Sequence, residues 1–167
     1  MPLEAILDRV AMYRCRLVEL TGGEPLLQEA APELTRRLGD LGRQVLLETN
    51  GSLDIGAVDQ RVVRIVDFKC PSSGQSHCNR WENVALLRDR DEVKFVLADR
   101  ADYDYARGAI AQHDLTRRCA VLLSPAGGLL AASTLAKWML QDDDLPREVR
   151  LNLQLHRIIW PDKDRGV

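Results

Sequence analysis

No stretch of the chain approaches the roughly 20 consecutive apolar residues that a bilayer span needs. The opening Met1-Pro2-Leu3-Glu4 has no basic segment leading into an apolar one. A membrane-spanning helix and a secretory leader are therefore not expected, and the chain reads as cytoplasmic. A surplus of positive charge is missing too, since 23 Lys and Arg stand against 25 Asp and Glu. Neutralising a phosphate backbone takes clustered basic residues, so nucleic acid is not expected as a direct ligand. Closely spaced cysteines are also lacking. Cys15, Cys70, Cys78 and Cys119 are scattered, and even Cys70 and Cys78 lie farther apart than the spacing of about two to four residues at which neighbouring thiolates share a metal. Neither a disulfide framework nor a metal site is expected from them, and Cys15 and Cys119 read as small buried residues flanking strands.

What is present is a 167-residue chain that is 46% hydrophobic. That suffices for one α/β domain, here spanning 1–167, but not for a full eight-stranded barrel of roughly 250 residues. Apolar residues recur with helical period from Leu3 to Tyr13, and Leu17 to Leu20 forms a short apolar run. A helix is predicted to open near Pro25 and to reach about Leu38, where Gly39 and Gly42 stop it. Strands are predicted at 45–47, 62–66, 92–97, 120–123 and 150–155, with helices at 103–112 and 134–140. The runs at 45–47 and 62–66 read as strands covered on both faces. Alternating strands and helices imply a parallel sheet, either open and doubly wound or an incomplete barrel of about six strands.

In parallel α/β architectures the ligand lies beyond the carboxyl ends of the strands. Those ends hold Thr21-Gly22-Gly23-Glu24, Glu48-Thr49-Asn50-Gly51, Asp67 to Ser73, Ser124-Pro125 and Gln154 to His156. Two glycines permit a sharp turn and close approach of a ligand, Glu24 offers a carboxylate to an ammonium group, and Pro25 fixes the exit. An ordinary strand-to-helix turn is the competing reading of the glycine pair. Asp67 and Lys69 can equally pair with each other, and His156 taken alone fits a structural role.

The segment Leu20-Thr21-Gly22-Gly23-Glu24-Pro25-Leu26 resembles the GGEP motif of radical S-adenosylmethionine enzymes. Glu48 to Ser52, Asp67 to Gly74, Leu122 to Pro125 and Asn152 to Arg157 are similar, in this order, to the 7-carboxy-7-deazaguanine synthase family. The resemblance runs from about Cys15 to Pro161. It implies an incomplete parallel (β/α) barrel and the conversion of 6-carboxy-5,6,7,8-tetrahydropterin to 7-carboxy-7-deazaguanine with loss of ammonia, on the route to queuosine. It further implies S-adenosylmethionine, a 4Fe-4S cluster, Mg²⁺ and a homodimer. Carried onto this chain, Gly22, Gly23 and Glu24 match the loop for the cofactor's amino group, and Cys70, Pro71, Ser72, Ser124 and Pro125 match loops that reach its ribose and adenine. Thr21, Glu48, Asn50, His156 and Pro161 match substrate-contacting positions; no residue is assigned a catalytic role.

One departure separates the chain from the family pattern. The family's closely spaced cysteine triplet, which ligates the cluster from a loop after the first strand, has no counterpart here, and the loop that supplies a Mg²⁺ ligand is absent with it. The expectation is therefore a chain lacking the family's first strand, favoured as a fragment of an ordinary synthase and inactive alone. The alternative is a cluster-free module that binds S-adenosylmethionine or a pterin without catalysis. A different radical enzyme, such as a glycyl-radical activase, stands third, because Glu48 to Ser52 and Asn152 to Arg157 favour the deazaguanine branch.

Overall fold

The computed structural model describes residues 1–160 and 162, without the side chains of His156 and Arg157. Six strands, β1 (Leu17–Leu20), β2 (Gln44–Thr49), β3 (Val63–Phe68), β4 (Glu92–Leu97), β5 (Ala120–Pro125) and β6 (Arg150–Leu151), form one sheet. Every neighbouring pair is parallel and the spatial order follows the chain order. A doubly wound sheet reverses its strand order at a switch point. This one does not, so its connections wind one way, as in a barrel.

Among the described residues five α-helices accompany the strands: α1 (Leu3–Ala11), α2 (Ala31–Asp40), α3 (Arg100–Gln112), α4 (Ala132–Gln141) and α5 (Leu155–Ile159). Strand alternation sends Val66, Phe68, Val93, Phe95, Leu97, Val121 and Leu123 to one side, where they pack with Tyr103, Ala106 and Ile110 of α3 and Leu135 of α4. Leu7 of α1 and Leu38 of α2 close a second cluster over Val45 and Leu47. α3 begins at Arg100 because the Asp99 side chain accepts a hydrogen bond from the Asp102 N–H, 2.9 Å away.

Several predicted features differ. Residues 25–38 are not one helix: a 3-10 turn at Pro25–Leu27 is followed, after a break, by α2, which starts anew next to Pro32. The strand predicted at 150–155 shrinks to Arg150–Leu151, and α5 follows, so His156 lies on a helix rather than at a strand end. The strands at 45–47 and 62–66 are not covered on both faces. Leu46, Glu48, Val63 and Ile65 alternate with buried neighbours and are only half-buried, so the sheet has a closed face under the helices and an open one. Cys119 is buried, but Cys15 is exposed, because it precedes the sheet's edge strand where no element covers it. No described helix is long and apolar enough to cross a membrane.

Candidate functional site

The open face gathers charge that the helix-covered face excludes. Register places Glu19 beside Leu46, Glu48 beside Ile65, Asp67 beside Lys94, and Val96 beside Ser124, all on the open side. The Glu48 carboxylate sits at the centre. Lys94 Nζ donates to one of its oxygens, and the Thr21 hydroxyl donates to the other at 3.3 Å. An ionised carboxylate offers about four lone-pair directions. Two therefore remain for a ligand's parallel N–H groups. Partial burial and then the nearby Glu48 charge hold the Glu19 carboxyl above its ordinary range, with Lys94 opposing them.

Beside this cluster, β1 runs into the Thr21 to Glu24 loop. Gly22 and Gly23 have φ of +91° and +58°, a left-handed conformation that disfavours side chains, and a Cβ on either would meet no atom within 4 Å. The loop thus presents bare backbone to open space. Glu24 does something different from its neighbours. It is buried, and its carboxylate accepts from Leu26 N at 3.0 Å, Thr49 Oγ1 at 2.8 Å and Asn50 N at 2.7 Å. The side chain read as an ammonium acceptor is thus largely committed to binding the β1 loop to the end of β2. Asn50 is similarly engaged, its Oδ1 accepting from Ser52 N at 2.9 Å.

After β3, Lys69 is clamped by Asn79, which accepts from its N–H at 2.8 Å and donates to its carbonyl at 2.9 Å. Lys69 Nζ pairs with Asp67 Oδ2 at 2.8 Å, while Asp67 Oδ1 is buried without a partner. Ser124 Oγ is likewise buried and unpartnered. Orphaned buried polar atoms are rare, and two on the open side of one sheet mark a place where a bound molecule would complete the hydrogen bonding. Cys70 points the other way: its thiol lies in the core, and burial above all pushes it well up from the usual thiol range. Only its backbone can face a ligand. Pro71 and Ser72 are exposed and Pro125 is buried at the end of β5. The His156 side chain and Pro161 lie outside the described residues.

Thr21, Gly22, Gly23, Glu24, Glu48 and Asn50 are thus brought together, with Ser72 on the loop after β3 and Ser124 near the end of β5. Sequence reading missed Lys94. The alternation Glu92-Val93-Lys94-Phe95, polar then apolar twice over at the start of the strand, was a signal that one face is open. Among the described residues no group of three or more His, Cys, Asp or Glu is arranged to hold a metal, and the four cysteines are two buried and two exposed. These residues do not fit a three-thiolate cluster site or a Mg²⁺ site.

The chain is 44% identical over 165 residues to a 7-carboxy-7-deazaguanine synthase from Koribacter versatilis, covering 90% of this chain and 72% of that protein. It is 43% identical over 170 residues to a protein of the same name from Chlorobaculum tepidum, covering 100% of this chain and 76% of the relative. The chain belongs to the 7-carboxy-7-deazaguanine synthase family. It spans about three quarters of the length of these two synthases. The crystal structure of QueE from Escherichia coli matches with a TM-score of 0.71 over 92% of this chain and 64% of that one, at 20% identity. That likeness concerns the fold. No protein-family model matches the chain. Within the synthase family, then, the open face and the rim described above are the features to which a function has to be assigned.

Proposed function

We propose that this chain carries the S-adenosylmethionine and pterin sites of a 7-carboxy-7-deazaguanine synthase, which contracts 6-carboxy-5,6,7,8-tetrahydropterin with loss of ammonia. The observation that carries this reading is the Thr21, Glu48 and Lys94 cluster on the open face, directly beside the bare Gly22 and Gly23 backbone. S-adenosylmethionine supplies the radical when it is cleaved at an iron-sulfur cluster, and the residues present here do not fit that cluster. The chain's own residues bind and orient. Gly22 and Gly23 offer backbone to the cofactor's amino-acid end, held in place by Glu24, while Ser72, Pro71, Ser124 and Pro125 line the side toward its nucleoside. Glu48, aligned by Lys94 and Thr21, accepts two parallel N–H bonds from the guanidine-like edge of the pterin. Asn50 flanks it, and His156 and Pro161 are assigned to the substrate by the family resemblance alone. A homodimer, a cytoplasmic setting and a place before queuosine formation accompany this reading, without direct contact to nucleic acid or membrane; the family's Mg²⁺, like its cluster, is not held by the residues described here.

The experiment is a pair of titrations on the purified chain, with S-adenosylmethionine and with the pterin. Glu48→Gln is expected to weaken pterin binding by roughly 10- to 100-fold, the range for losing a charge-assisted hydrogen bond, while cofactor affinity stays the same. Equal pterin affinity would remove Glu48 from the site. The cysteine arrangement favours a second reading for the isolated chain, a binding module without turnover. Anaerobic treatment with iron and sulfide is then expected to yield no 5′-deoxyadenosine, and its appearance would contradict that reading.

A further inference from the structure

Asp102 is a fully buried carboxylate in the first turn of α3, and nothing in the proposed function uses it. Its Oδ1 accepts from Ser72 N at 3.0 Å, and its Oδ2 accepts from Ala98 N at 2.9 Å and from the Ser72 hydroxyl. Among the described residues it has no ion-pair partner. Three donors and the positive end of α3 hold it instead. One side chain thereby joins the loop after β3 to the end of β4.

The loop's remaining hydrogen bonds decide what it can show a ligand. Pro71 has no N–H, Ser72 N is taken by Asp102, Ser73 N by the Cys70 carbonyl at 3.1 Å, and Gly74 N by the Pro71 carbonyl at 2.9 Å. The Ser73 hydroxyl donates to the Cys70 carbonyl at 2.6 Å and accepts from Gln75 N at 3.1 Å. Ser72 and Ser73 are both exposed with a hydroxyl proton engaged inward, but the Ser73 oxygen already accepts from Gln75 N, whereas the Ser72 oxygen accepts from no group among the described residues. The Ser72 oxygen keeps its lone pairs free and has no proton left to give.

We infer that Asp102 is a positioning residue which makes Ser72 a dedicated hydrogen-bond acceptor for a ribose hydroxyl of the bound nucleoside. The inference rests on the proposed S-adenosylmethionine site. Without the Asp102 carboxylate the Ser72 hydroxyl rotates freely, and the rim loses its discrimination for a donor at that place.

S-adenosylhomocysteine and its 2′-deoxy and 3′-deoxy counterparts are the probes, titrated into the full chain by calorimetry. The unaltered protein is expected to prefer the parent over one of the deoxy compounds by roughly tenfold, the worth of one hydrogen bond of about 1.4 kcal/mol. Asp102→Asn and Ser72→Ala are each expected to shrink that ratio toward one, and the double variant to shrink it no further. A variant D102N that weakens parent and deoxy compounds equally, with the ratio intact, would show a mere structural clamp and overturn the proposal. Ser72→Ala keeps both N–H bonds to Asp102, so if D102N does not fold, an unchanged ratio in S72A overturns it alone. Failure of the unaltered protein to bind any of the three would instead sink the cofactor reading, and this inference with it.

Discussion

Glu24→Gln separates two roles for the most recognisable residue of the rim. A carboxylate that only awaits a ligand's ammonium group can be replaced by an amide without cost to the empty protein. The structure argues otherwise. A glutamine oxygen in the place of Oε1 can still accept from Leu26 N and Thr49 Oγ1, but its NH₂ then stands where Oε2 accepts from Asn50 N at 2.7 Å. Donor faces donor, and turning the amide over only moves the conflict to Leu26 N. The loss is one hydrogen bond to a charged group plus a part-buried N–H without partner, together about 2 to 3 kcal/mol. For a domain of this size that lowers the melting temperature by roughly 4 to 12 °C. Hydrogen exchange at the Asn50 amide, followed by NMR without any ligand, is expected to accelerate by roughly 30- to 150-fold, the same energy expressed as an equilibrium constant. An unchanged melting temperature with unchanged exchange at Asn50 would refute the strut and return Glu24 to ligand binding alone.

Two further changes test the frame that carries the site. The Arg64 and Asp91 side chains form a buried ion pair, and Asp91 also accepts from Arg64 N at 2.9 Å and Arg88 N at 3.0 Å. Asp91→Asn is expected to destabilise by about 3 to 5 kcal/mol in chemical unfolding. Burial pushes the Asp91 carboxyl up, but the hydrogen bonds and charge of Arg64 outweigh it and hold the group below its ordinary 3.8. Its stabilisation is therefore full above that value and is lost as the pH falls through the lower folded-state value, so the two proteins converge in stability only in that acid window. Gly51→Ala forces a side chain into φ +70° with its Cβ 2.8 Å from Val66 Cγ1 and 3.2 Å from Phe68 Cε1. Both neighbours are fully buried, and a thermal melt is expected to show a loss of at least about 2 kcal/mol.

Much of this architecture was legible because parallel strands announce themselves. The runs at Leu17 to Leu20, Glu92 to Leu97 and Ala120 to Leu123 are short, mostly apolar and bounded by turn residues, and the structure makes strands of all three. Thr21 to Pro25 was legible for a different reason: paired glycines and a proline directly after a strand leave the backbone few ways to turn. Other features depend on contacts across the sheet, which a linear pattern does not display. Lys94 becomes a site residue only because parallel register sets β4 beside β3 and the Glu48 carboxylate within its reach. Asp102 reads as one more acid on an amphipathic helix until the loop after β3 folds back onto it. The segment at 150–155 looked like a full strand because Leu151, Leu153 and Leu155 alternate. Only Arg150 and Leu151 find a partner in β5, and the chain turns into α5 instead. Cys15 misled by residue type, since a small apolar side chain is buried only where something covers it.

The central claim is that the open face of the sheet, and not the helix-covered one, receives the pterin and the cofactor together. A crystal structure of the chain soaked with S-adenosylmethionine and 6-carboxy-5,6,7,8-tetrahydropterin tests it most directly. The account predicts the pterin's guanidine-like edge on Glu48 beside Lys94, with the cofactor's amino-acid end along Gly22 and Gly23. Density for either molecule on the outer side of the helices, with the face around Glu48 empty, would contradict it.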